Sequence, residues 1–496
     1  MANHFWCAVF LAAGIASASP SSIARQSGTQ AADIRRLDGS TISAVSVDAT
    51  VTRLMEAGKV IGIGVTIFND KKVVYSKAFG FRDKEKNLPL TPDSVMIAAS
   101  LTKSIFAYMV MQLVQERVLD LDKPVYQYLP KPLPEYSRYA DLADDSRWKK
   151  ITLRMLLSHT SGFPNWRAFT DGRLSIHFEP GSRFAYSGEG IQLAQTVVEI
   201  VTKQPLTQLM QERVFQPLGM TRTSMIWDAR FEDNFANGYD EAGRSLGPQR
   251  RSRADAAGSM LTTLRDYGLF LQAVAQGQGL DRETRELMFT PQVAILSKHE
   301  FPTLDTETTD QNKAIQLSYG LGWGLYTTPY GRAFFKEGHD DGWRHYAVYF
   351  DKPGIGMLIM TNSSNGEGIY QELLETALKN AYTPIEWESF TPYASAAPPA
   401  ASSVRHEIAL APAQLARFVG SYRTDPTVLL TVTLENDQLF LQENDSAKHQ
   451  LFAEGDRQFF LKNFDLQLAF ELNAQGRASA VKVSLKGRSF RVLREK

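Results

Sequence analysis

The chain reads as an α+β protein: an antiparallel sheet flanked by helices with an inserted helical subdomain, followed by a small all-β domain. Three observations lead there. The run VIGIGVTIFNDKKVVYSKAFGF, Val60 to Phe81, is two apolar stretches around Asn69-Asp70-Lys71-Lys72, a hairpin signature. A second hairpin lies far downstream, where YAVYF (346–350) and GMLIMTN (356–362) flank Asp351-Lys352-Pro353-Gly354. Between them, Ile191 to Thr202, Leu206 to Val214 and Leu264 to Gln276 carry apolar residues at helical spacing. Strands at both ends with helices between them place one sheet under a helical insertion.

A break in texture follows. TPYASAAPPAASS, residues 391–403, is Pro/Ala/Ser-rich and uncharged, as a linker should be. Beyond it, VLLTVTLENDQLFLQ, RQFFLKN, LQLAFELNAQGR and ASAVKVSLKGRSFRVL alternate about short polar turns, as strands of a small sheet or barrel do. The expected divisions are a main domain over 45–385, a linker over 386–410 and a β domain over 411–496.

A chain of 496 residues with equal numbers of basic and acidic side chains carries no footprint for nucleic acid or an acidic membrane. Residues 1–18 read as an export signal, FWCAVFLAAGIA being too short to span a bilayer and Ala16-Ser17-Ala18 supplying a small-x-small cleavage site. A polar leader over 19–44 follows. Export to the periplasm or beyond is expected, with no membrane-spanning segment left after cleavage. Cys7, the only cysteine, lies in that signal, so the mature chain is expected to lack disulfides and thiolate chemistry.

Ser-x-x-Lys occurs three times, at Ser100, Ser146 and Ser479. Ser146 lies in the charged stretch DDSRWKK, and Ser479 on an alternating strand whose i and i+3 positions face opposite sides. Only Ser100 opens an unbroken apolar run, SIFAYMVMQLV, suited to a buried helix. On a helix, Lys103 shares a face with Ser100, at the end where the dipole is positive. Burial would lower the lysine pKa toward that of a base. A capping serine beside a lysine that reaches to solvent is the other reading of the same four residues.

The wider context resembles the serine β-lactamase and penicillin-binding-protein superfamily. The nearest branch holds class C β-lactamases, family VIII carboxylesterases and D-aminopeptidases. The segments run in family order: SLTK at 100, ITLRMLLSHTSGFP at 151, FEPGSRFAYSGEGIQLAQTVVEIVT at 178, QPLGMTRTSM at 216, AAGSMLTTLRDYGLF at 256, YGLGWGLY at 319, EGHDDGW at 337 and GMLIMTNS at 356. The resemblance implies a β-lactamase/transpeptidase-like fold, Ser100 as nucleophile, Lys103 as its proton acceptor and Tyr186 as the tyrosine of a Tyr-x-Asn motif. The third motif, Lys-Thr-Gly or His-x-Gly in relatives, is read at His339-Asp340-Asp341-Gly342. The backbone N–H groups of Ser100 and Gly342 are then the implied oxyanion hole. The terminal strands resemble the lipocalin-like barrels appended to some relatives.

Two departures narrow the substrate. Gly188 stands where the motif asparagine should hold an acylamino group and the lysine, so Lys103 needs another partner. His339 is a weaker anchor for a substrate carboxylate than lysine. Asp340 and Asp341 would repel anions and attract an amino group, or else face solvent or pair with Arg344. His159 reads as a structural hydrogen-bonder, and Trp166, Tyr319, Trp323 and Trp343 as cleft lining or core. No metal-ligand spacing is present and no cofactor is called for. The expected protein is an exported serine hydrolase that takes carboxylic esters or small amides through an acyl-enzyme. The alternatives are a D-aminopeptidase, a weak β-lactamase, or a penicillin-binding-type protein that binds without turnover.

Overall fold

The computed structural model describes residues 33–395, 405–425, 428–443, 448–461, 466–485 and 488–495. The expected export signal, residues 19–32 of the leader and residues 396–404 of the linker lie outside these. The sheet of the main domain begins with β1 (Gly62–Asn69) and β2 (Lys72–Asp83), joined where Asp70 and Lys71 both take positive φ. That two-residue turn matches the right-handed twist of the strands it connects. Strands β3 (Gly324–Thr328), β4 (Gly331–Asp340), β5 (Trp343–Phe350) and β6 (Ile355–Thr361) complete its central part. The order is β2-β1-β6-β5-β4-β3, antiparallel throughout, so the two hairpins read from the sequence meet along β1 and β6. Both strands are buried on both faces, which explains why they read as continuous apolar runs and not as alternation.

Helices cover the two faces. On one lie α1 (Ala44–Gly58) and, late in the chain, Tyr370–Leu378, packing Val47, Val51, Leu54, Leu373 and Leu374 on Ile63, Val65 and Ile359. On the other lie α2 (Leu101–Gln115), α3 (Gly188–Thr202) and α4 (Leu264–Gln276), with the helical insertion around them. Helix α2 is the hub. Ile105, Phe106, Met109 and Val110 are wholly buried, each contributing about 1.5–3 kcal/mol of transfer free energy. The α4 expectation holds residue for residue, whereas Leu206–Met210 is a single short helix that widens into a looser turn over Gln211–Phe215.

The carboxy-terminal strands close into an eight-stranded barrel from Gly420–Asp425 to Arg488–Arg494. Closure removes the exposed edges that an open sheet would leave. Phe418, Phe459 and Phe470 meet in its interior at ring separations of 4.8 to 5.6 Å, so the barrel has a packed core of its own. A bulge in the pairing of Glu471 and Leu472 turns both Ser479 and Lys482 to solvent, where alternation had put them on opposite faces. Ser146 and Lys149 are exposed as well. Neither pair has a built environment.

Candidate active site

Ser100 is presented by a sharp reversal. The chain leaves the short strand Met96–Ile97, takes positive φ at Ala99 and enters α2 with Ser100 as its cap residue. A left-handed alanine costs on the order of 1 kcal/mol, so the surroundings hold it there. Ser100 makes no side-chain cap bond, which leaves its hydroxyl to the lysine. Lys103 Nζ sits 2.9 Å from Ser100 Oγ and donates to the carbonyl of Ala257 at 2.5 Å. That carbonyl is the partner the missing asparagine left open. It is fixed by a turn in which Asp255 accepts from the N–H of Ala257 and from Gln192. Burial, and then the neighbouring Lys336, push the Lys103 ammonium down to about 7. A buried amine near neutrality beside a serine hydroxyl has the geometry that a general base requires.

Tyr186 stands between two amines. The Nζ atoms of Lys103 and Lys336 each lie 4.9 Å from its ring centre, and Lys336 donates to its hydroxyl at 3.2 Å. Burial, then the charge of Glu337, hold its pKa well above 10, so it stays a phenol able to donate. The His159 ring packs on Tyr186 at 4.3 Å, and its Nδ1 accepts the Ser187 N–H at 3.2 Å. Burial keeps that imidazole neutral, its pKa well below 6.5. The histidine is a support for the tyrosine, as its sequence context suggested.

Gly188 is where α3 begins, and the space beside it is filled. A Cβ there would come within 2.4 Å of Trp166 Cη2, so the indole occupies the volume an asparagine side chain would need. Of the four aromatic residues read as cleft lining or core, only Trp166 lies beside this position, and it is partly buried. Tyr319, Trp323 and Trp343 are core residues, each 1% exposed or less. Phe301, half-exposed and edge-on to Tyr186 at 5.7 Å, had no signal in the sequence.

The strand motif is corrected. The side chain facing Tyr186 is Lys336, so the segment passing the start of α2 is Lys336-Glu337-Gly338. Gly338 is needed there, because a Cβ would come 2.8 Å from the Ala98 carbonyl and 3.1 Å from Leu101 Cγ. Asp351 N–H donates to Arg332 O, so even-numbered residues of β4 bond to β5 and odd-numbered ones face the other way. On that side β3 ends opposite Phe335, leaving the backbone of Glu337 and His339 directed past its end. The Gly342 N–H, expected in the oxyanion hole, instead donates to Ser364 Oγ at 3.0 Å, and its backbone packs on Gly238. His339 Nδ1 is 3.4 Å from Glu367, and its side chain is half-exposed. Asp340 pairs with Arg251, and the Asp341 carbonyl accepts from Gln249. His339 and Asp340 end strand β4 beyond the lysine, and Asp341 and Gly342 make the turn into β5. Reading Lys-x-Gly with glutamate in the middle would have found the lysine.

Two more buried carboxyls lie close by. Glu300 is 2% exposed, and its Oε1 has no hydrogen-bond partner among the described residues. Burial, then Glu337, raise its pKa well above 4.5. Glu388, which accepts from the Tyr346 hydroxyl at 3.0 Å, is raised for the same reasons. No cluster of metal-binding side chains occurs among the described residues.

Known proteins share this architecture. The beta-lactamase family matches residues 47–381, and a domain of unknown function, DUF3471, matches residues 404–492. The chain is 23% identical over 450 residues to penicillin-binding protein 4* of Bacillus subtilis (strain 168), covering 82% of this chain and 90% of that one. To esterase EstB of Burkholderia gladioli it is 31% identical over 211 residues, 37% of this chain and 52% of the esterase. A solved octameric penicillin-binding protein homologue from Pyrococcus abyssi aligns with a TM-score of 0.56 at 22% identity, over 91% of this chain and 100% of that one. SurE aligns at 0.52 and 20% identity, over 91% and 98%. At these identities the solved structures speak for the fold alone. The match of residues 47–381 spans well over half of the chain, which therefore belongs to the beta-lactamase family.

Proposed function

We propose that the chain is a serine hydrolase that forms an acyl-enzyme at Ser100 and prefers carboxylic esters. The observation that carries this reading is the contact of Ser100 Oγ with a fully buried Lys103 whose pKa lies near 7. Ser100 attacks the carbonyl carbon while its proton moves to Lys103 Nζ. The negative charge that develops on the carbonyl oxygen is held by the backbone N–H groups of Ser100, at the mouth of α2, and His339. The Tyr186 phenol donates to the departing alkoxide and regains the proton that Lys103 took, which leaves Lys103 neutral, while the Lys336 cation stays on its other side. Water then attacks the acyl-enzyme with the same amine as base, and the acid leaves.

Esters rank first because the Trp166 ring occupies the place of a side-chain amide that would hold an acylamino group. The esterase among the relatives supports the same order. D-amino-acid amides rank second and β-lactams third. A panel of p-nitrophenyl esters, D-alanine p-nitroanilide and a chromogenic cephalosporin tests the ranking, with Ser100→Ala as control. Faster turnover of the cephalosporin than of any ester contradicts it.

A further inference from the structure

Lys336 is wholly buried, and an ammonium has three N–H donors. The structure gives all three a protein partner: the Tyr186 hydroxyl at 3.2 Å, the Glu337 carbonyl at 3.3 Å and, closest, the Glu337 carboxylate. The cation beside Tyr186 is therefore paired internally and saturated. The residue that pairs it follows it on the same strand and is itself buried, at 5% exposure. Glu300 adds a second buried carboxyl without a partner for its Oε1 among the described residues.

We propose that Glu337 is a specificity-determining residue: by pairing with Lys336 it excludes acyl donors that carry a carboxylate and reserves the site for uncharged acyl groups. The inference rests on the hydrolase reading and names its substrate class. A carboxylate entering beside Lys336 meets no spare N–H and lies next to the Glu337 anion, so like-charge repulsion opposes it. An uncharged acyl chain meets neither obstacle.

Three esters of one chain length test this: p-nitrophenyl hexanoate, p-nitrophenyl hydrogen adipate and its methyl ester, which is polar but uncharged. In the wild-type protein kcat/KM for the two uncharged esters should exceed that for the acid by about tenfold or more. Glu337→Gln should narrow the gap by roughly tenfold, chiefly through KM for the acid. A wild-type protein that takes the acid as readily as its methyl ester overturns the proposal, whether or not the variant folds. A folded Glu337→Gln protein with the wild-type ratio does the same. Equal colour release by wild type and Ser100→Ala overturns the hydrolase reading itself, and the inference with it.

Discussion

In the proposed mechanism Lys103 must lose its proton to act, and the fold makes that easy at a cost in stability. In the unfolded chain the amine keeps its proton up to about 10.5, and in the fold only to about 7. Folding therefore releases a proton between these values, and stability rises with pH across that window. The cost is complete below about pH 7, shrinks as pH climbs and disappears above 10.5. Replacing Lys103 by Met should abolish acylation and raise stability by roughly 2–4 kcal/mol at pH 6, less whatever the unpaired Ala257 carbonyl loses. The gain should fade by pH 10.5. Denaturant unfolding at several pH values checks it, and a variant less stable than wild type at pH 6 contradicts it. For the wild type, kcat/KM should rise through an apparent pKa near 7 as the amine deprotonates.

At the scale of elements, the start of α3 shows how a departure from a motif is absorbed. Gly188 has no side chain because Trp166, from another segment, fills that volume. Gly188→Asn should therefore destabilise by about 1–3 kcal/mol through overpacking. Adding Trp166→Ala should recover part of that loss, a coupling that thermal melts of the single and double variants would measure. A Gly188→Asn protein that melts with the wild type contradicts the account. This pairing was not legible in the sequence, since nothing local to Tyr186-Ser187-Gly188 points to residue 166. Ser100 and Lys103 were legible, because their spacing and the apolar run after them encode one helical face. Lys336 was hidden by its neighbour: with glutamate in the middle of the motif, the histidine three residues on drew the reading instead. Glu300 lies in a loop with no period at all, and only the folded chain brings it near the lysines.

Across the whole molecule, the order of hairpin, helical insertion, hairpin and alternating strands was readable because each type buries its apolar residues with a different period. What periodicity does not carry is closure of the terminal strands into a barrel, which depends on the pairing of the first with the last. Two cores sandwich the main sheet and a third fills the barrel. The active-site groups come from α2, the turn before α3, the turn at Ala257 and strand β4, so their meeting is a property of the assembled main domain. The claim that this meeting makes Ser100 a nucleophile is the centre of the account. It is tested most directly by treating the protein with a fluorophosphonate, measuring its intact mass and locating the adduct by peptide fragmentation. One adduct per chain, on Ser100 and absent from Ser100→Ala, is the result expected. No adduct, or an adduct that persists when Ser100 is alanine, would contradict it.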